Sequence, residues 1–188
     1  MENYLQEMER KIQIILSREE KTVLTYDILD NEFTRKNKYI CLKEKQHQMK
    51  IGDIWQVVLG NYDSFKDLGV GHETGLDILS DTRKIVIELK NRTNTDNSSS
   101  RKANLDKLLR FKLANPDYIC IYGNINADNE EKTLKGSVKI IQHNGEEIHH
   151  YVGLELLTFV LGENTEIILE FVRKTIHTYF ENISSTPK

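Results

Sequence analysis

The residue types best suited to chemistry lie between Gly71 and Lys102. Asp77 sits in a short apolar run, Leu76 to Leu79. A polar turn, Ser80 to Lys84, follows, and then a stronger strand-like run, Ile85 to Lys90, carries Glu88 and Lys90. Side chains alternate along a strand, so Val86, Glu88 and Lys90 share one face and Ile85, Ile87 and Leu89 share the other. Pairing of the two runs through the turn brings Asp77, Glu88 and Lys90 together. Two carboxylates and an ammonium at one point suit a divalent cation with an activated water. Carboxylate oxygens are hard ligands, and the bound cation acidifies the water. Alone, an acid followed by Glu-x-Lys is a common triplet. Its weight comes from the paired strands, the Gly-rich approach loop and the polar segment that follows.

That segment, Asn91 to Ser100, reads Asn-Arg-Thr-Asn-Thr-Asp-Asn-Ser-Ser-Ser, with no Gly, no Pro and no apolar anchor. It is read as a DNA-contacting loop rather than a linker. Asn and Arg side chains pair with base edges, and Ser and Thr hydroxyls donate to phosphates. Charge distribution supports this. Residues 82 to 114 hold nine Lys or Arg against three Asp or Glu, whereas residues 115 to 188 hold six against eleven. Net charge is −3, so positive potential is confined to one stretch and general nucleic-acid binding is disfavoured.

The elements that must position these residues follow from periodicity. Leu5, Met8, Ile12, Ile15 and Leu16 predict an amphipathic helix over 3–17. Residues 18–38 read as a charged connection with one short element. Ile51, Ile54, Trp55, Val58 and Leu59 predict a second helix over about 43–61, stopped by Gly60-Asn61. On this helix Asp53 lies off the apolar stripe. It is either part of a solvated face or a further acid for the site, and Glu44 is a weaker candidate for the same role. His72 and Glu73 are read as capping a turn. A third helix is expected over 101–113, capped by Ser100 or a neighbouring serine. Strands follow at 117–124 and 136–143, separated by a charged loop, 127–135. Asn144-Gly145 then signals a hairpin into 148–152. Two helices, 153–161 and 164–180, close the chain. The order is that of a mixed α/β layer fold in one domain.

Several classes are disfavoured. No run approaches the roughly 18 apolar residues of a membrane span. The acidic N-terminus does not resemble a secretory signal. Cys41 and Cys120 lack metal-ligand spacing and read as reduced core residues of a cytoplasmic protein. His143, His149 and His150 have no accompanying carboxylate motif. No phosphate-cradling Gly-Lys loop is present, which argues against ATP-driven cleavage by this chain.

The pattern Leu76-Asp77, ten intervening residues, then Glu88-Leu89-Lys90 resembles the PD-(D/E)XK nuclease superfamily, with Leu in place of the Pro. The longer run from Ile51 to Gln56, through Gly71 to Asp77, to Glu88–Lys102 resembles type II restriction endonucleases that cut GGNCC or GGWCC sites. The likeness covers about residues 45–160 and leaves out the first and the last two helices. It implies a restriction endonuclease-like core with a mixed central sheet flanked by helices. About 1–38 would be an N-terminal helical extension, 40–160 the catalytic core and 161–188 a closing helix and tail.

The resemblance also implies roles. Asp77, Glu88 and the Leu89 carbonyl would bind Mg²⁺, and Lys90 would act on the attacking water. DNA contacts would come from Asn91, Arg92, Asn94, Asn97, Ser98, Ser99, Ser100, Arg101 and Lys102. A palindromic duplex site implies a homodimer, and a restriction system implies a cognate DNA methyltransferase acting on the same sites. The alternatives are a repair or junction-resolving nuclease of the same fold, or a non-catalytic DNA-binding module.

Overall fold

A computed structural model describes residues 1–19, 23–25, 27–28, 30–92 and 97–184, with residues 183 and 184 described by backbone alone. The first helix, α1, spans Glu2–Ser17 and buries Met8, Ile12, Ile15 and Leu16, as its periodicity predicts. The second, α2, spans Glu32–Gly60 and starts about eleven residues earlier than expected. Its extra turns begin at a capping box. Asn31 Oδ1 accepts from Thr34 N at 3.0 Å, and Thr34 Oγ1 accepts from Asn31 N at 2.8 Å. With Thr in place of the usual Glu or Gln and no apolar stripe in its first turns, this start leaves little trace in the sequence.

The strands are β1 (Lys66–Asp67), β2 (Ile78–Ser80), β3 (Ile85–Arg92), β4 (Ile119–Asn126), β5 (Ser137–His143) and β6 (Glu146–Val152). They form one mixed six-stranded sheet in the order β1-β2-β3-β4-β6-β5. β2 pairs antiparallel with β3, and β3, β4 and β6 run parallel. Helix α3 (Ser98–Ala114) connects β3 to β4. A parallel connection needs such a crossover, and it places the start of α3 beside the ends of β3 and β4.

The helix begins three residues before the expected start. Its cap is Asn97, whose Oδ1 accepts from Ser100 N at 2.8 Å, so the serine supplies the donor rather than the cap. The 127–135 segment also departs from expectation: Glu130–Lys135 forms a short helix, α4, capped by Asn129. The Asn144-Gly145 hairpin forms as expected. Its residues have φ 50° and 90°, the positive angles a tight two-residue turn requires.

The sheet is covered on both faces. One face packs Ile78, Ile85, Ile87, Leu89 and Ile121 against α1, α2, α5 (Leu154–Leu161) and α6 (Thr165–Ser184). The other packs Val86, Cys120, Tyr122 and Ile148 against Leu105 and Leu108 of α3. Each such buried aliphatic side chain contributes about 1.5–3 kcal/mol relative to exposure. At the β6–α5 junction Gly153 has φ 63°, and a Cβ there would run into the Thr133 carbonyl. Cys120 is buried as expected, but Cys41 lies exposed on α2. Among the described residues, no helix is long and apolar enough to cross a membrane.

Candidate active site

Asp77 immediately precedes β2, whose register pairs Ile78 with Ile87. One step back along that antiparallel ladder, Asp77 stands opposite Glu88. Asp77 N donates to Ile87 O at 3.2 Å, and Asp77 Oδ2 accepts from Leu89 N at 2.7 Å. The carboxylate is thus anchored by the backbone of the Glu-Leu-Lys triplet itself. Burial, and then the charge of Glu88, push the Asp77 carboxyl up to about 6. The Leu89 N–H, Lys90 and Lys107 oppose this rise without cancelling it.

Glu88 points from the middle of β3 toward the α3 face and is 1% exposed. Its Oε1 accepts from Lys90 Nζ at 2.7 Å and lies 3.5 Å from Lys107 Nζ. Its Oε2 is buried with no hydrogen-bond partner among the described residues. A buried carboxylate oxygen is costly unless something compensates it. The three expected residues, Asp77, Glu88 and Lys90, therefore do converge.

Lys107 is not singled out by sequence. Its place beside Glu88 depends on how α3 lies across the sheet, and helical spacing alone does not reveal that. Lys107 also borders an open groove of about 650 Å³ shared with His72, Glu73, Arg110 and Tyr118. His72 closes a turn in this region: its carbonyl accepts from Gly75 N at 2.8 Å, and its Nδ1 lies 2.9 Å from Thr74 Oγ1.

Two candidate site residues are engaged elsewhere. Asp53 pairs with Arg18 at 2.9 Å, next to the end of α1. There Lys50 also donates to the Leu16 and Arg18 carbonyls, so this side of α2 clasps α1. Asn91 donates to Gln48 O at 3.1 Å, and its Oδ1 accepts from Asn126 Nδ2 at 2.9 Å. Its amide therefore ties β3 to α2 and β4 rather than facing outward to a base, as expected of a DNA-contacting loop.

Arg92 ends β3 and is exposed, while Ser98, Ser99, Ser100, Arg101 and Lys102 form the first turn of α3. The expected ten-residue loop is thus shorter, and its remaining part, residues 93–96 with Asn94, lies outside the described residues. Arg101 sits over the Tyr122 ring, 5.7 Å from its centre.

The same sheet face carries a polar pair that sequence reasoning missed. Asn124, the register partner of Lys90 on β4, is 2% exposed. Its Oδ1 lies 2.7 Å from His150 Nε2, which therefore carries the proton. Burial, then the charges of Arg101 and Lys139, lower His150 to about 4, so the ring is neutral at neutral pH. The histidines do not gather: His143 bonds Asp106 at 2.7 Å and His149 stacks on Tyr151.

Residues 7–165 match the family model described as Eco47II restriction endonuclease. The chain belongs to that family. It is a type II restriction endonuclease acting on DNA, a site-specific nuclease of a restriction system. No curated protein matches it. The matched stretch runs from within α1 to the first residue of α6, so the endonuclease family extends over the first two helices as well as the sheet. Membership also sets aside the reading of a DNA-binding module without catalysis.

Proposed function

We propose that this endonuclease hydrolyses both strands of a short palindromic duplex of the GGNCC or GGWCC kind, using Mg²⁺ held by a PD-(D/E)XK site. The observation that carries the proposal is the Glu88 carboxylate beside Asp77, with Oε1 held by ammonium groups and Oε2 buried without a partner among the described residues. Such a donor set fits a hard divalent cation. Asp77, Glu88 and the Leu89 carbonyl would hold it. When bound, it supplies an acidified water and neutralises charge on the phosphate.

Lys90, whose Nζ donates to Glu88 Oε1 at 2.7 Å, would orient the attacking water and, as an ammonium, stabilise the negative charge developing on the phosphate. In-line displacement of the 3′ oxygen leaves a 5′ phosphate. The DNA-facing group is Arg92, Asn94, Asn97, Ser98, Ser99, Ser100, Arg101 and Lys102. It follows β3 in the chain, so reading and cutting would share β3 and α3. The protein acts in the cytoplasm as a homodimer of single-domain chains, one subunit per strand. A cognate methyltransferase protects the host's own sites.

The test is digestion of a sequenced plasmid with end mapping, in Mg²⁺ and in chelator. The expected result is discrete fragments with 5′ phosphates at one GGNCC-class site, and none in chelator. Lys90→Met lowers cleavage by a factor on the order of 10²–10⁴ while leaving DNA retardation in Ca²⁺ intact. Nicking or branch-limited cutting points instead to a repair or junction nuclease of the same fold. Cutting that persists in Lys90→Met removes the assigned centre.

A further inference from the structure

We propose that Lys107 is a positioning residue that sets the divalent-metal affinity of this site through its charge, and so makes metal uptake depend on bound DNA. The proposal rests on the metal-site reading of Asp77 and Glu88 above.

Three observations carry it. First, Lys107 Nζ lies 3.5 Å from the Glu88 Oε1 that also accepts from Lys90, so two ammonium groups share one carboxylate oxygen. Second, Lys107 is held there by packing. A Cβ built on Gly75 would lie 3.6 Å from both Cδ and Cε of Lys107, so its stem runs along the loop that delivers Asp77. Third, Glu88 is almost fully buried, its side chain only 2% exposed, and charges around it are weakly screened.

The charges then sum simply. Asp77 and Glu88 are two carboxylates, and Lys90 and Lys107 are two ammonium groups. Summed over these four groups, there is no net negative charge to attract a divalent cation. Lys90 is already assigned to the water, so Lys107 is the ammonium whose charge is left over. A scissile phosphate brings the negative charge that the protein groups lack. Lys107 also sits two turns along the helix whose first turn faces DNA, which couples its position to the recognition segment.

The experiment is Mn²⁺ titration of full-length protein at pH 8 without DNA, followed by paramagnetic resonance of the free ion and by calorimetry. Wild type is compared with Lys107→Met, Lys107→Gln, Lys107→Arg and Glu88→Gln. Methionine retains the packed stem, glutamine is a second neutral variant, and a melting curve checks the fold of each. The expected result is that both neutral variants bind Mn²⁺ about fivefold or more tighter than wild type. Lys107→Arg stays close to wild type, and Glu88→Gln loses binding. Adding uncleaved cognate duplex tightens Mn²⁺ binding more in wild type than in Lys107→Met.

A purely structural role for Lys107 would shift melting without tightening the metal. Neutral variants that bind Mn²⁺ no tighter than wild type overturn the role of Lys107 alone. Wild type that binds no Mn²⁺ even with DNA overturns the metal-site reading and this inference with it.

Discussion

At the residue scale, Asp77 shows how the site trades stability for chemistry. Its carboxyl rises from 3.8 to about 6, chiefly because it is buried and then because Glu88 is charged. In the unfolded chain it titrates near its ordinary value. Below pH 4 it is protonated in both states and its stabilising contribution is complete. As pH rises through 6, the folded protein must carry a penalised charge and that contribution is lost. Asp77→Asn keeps an acceptor for the Leu89 N–H and removes the charge. We expect it to unfold at higher denaturant at pH 8, with a gain of roughly 3 kcal/mol over wild type, and to converge with wild type as pH falls below 4. Cleavage by the variant should be lost at both pH values. A variant less stable than wild type at pH 8 contradicts the burial account of Asp77.

At the element scale, α3 is the member that would join recognition to cutting in the proposed mechanism. Its first turn carries Ser98 to Lys102, Leu105 and Leu108 pack it on the sheet, and Lys107 reaches Glu88. The cap at Asn97 starts this helix, its Oδ1 accepting from Ser100 N. Asn97→Ala removes the acceptor for Ser100 N and should cost about 1 kcal/mol, with most of it restored by Asn97→Ser. Because the cap orders the turn proposed to face DNA, specific DNA affinity should fall in Asn97→Ala as well. Thermal melting and DNA retardation measured side by side check both effects. Intact stability with intact affinity would show that the cap is dispensable.

At the scale of the whole molecule, positive charge is concentrated in residues 82–114 against an acidic remainder, which favours approach of a duplex to that segment. A palindrome has two-fold symmetry and each chain holds one cluster of Asp77, Glu88 and Lys90. Double-strand cutting by single chains would require two successive encounters. We therefore expect light scattering to give a mass twice the 21.9 kDa of the chain. Mixing wild type with excess Lys90→Met should form heterodimers that nick the site rather than break it. Clean double-strand breaks from a monomeric species would remove the homodimer.

What the sequence by itself determined is local. The spacing of Asp77, Glu88 and Lys90, the alternation along β3, the Asn144-Gly145 turn and the stripes of α1 and the later part of α2 all follow from neighbours a few residues apart. Strand pleating and turn geometry act at that range, so the three central residues are legible in the sequence alone. The start of α2 is not, because its cap uses Thr34 and its first turns lack an apolar stripe. Only the tertiary structure decided which ends of side chains are occupied. It turned the Asn91 amide inward between Gln48 and Asn126, paired Asp53 with Arg18, and left Glu88 Oε2 buried with no partner among the described residues. It also brought Lys107 across from α3. These contacts join residues 19 to 43 positions apart. They are set by how Leu105 and Leu108 seat the helix on the sheet and how α1 and α2 pack, a registration that no local period encodes.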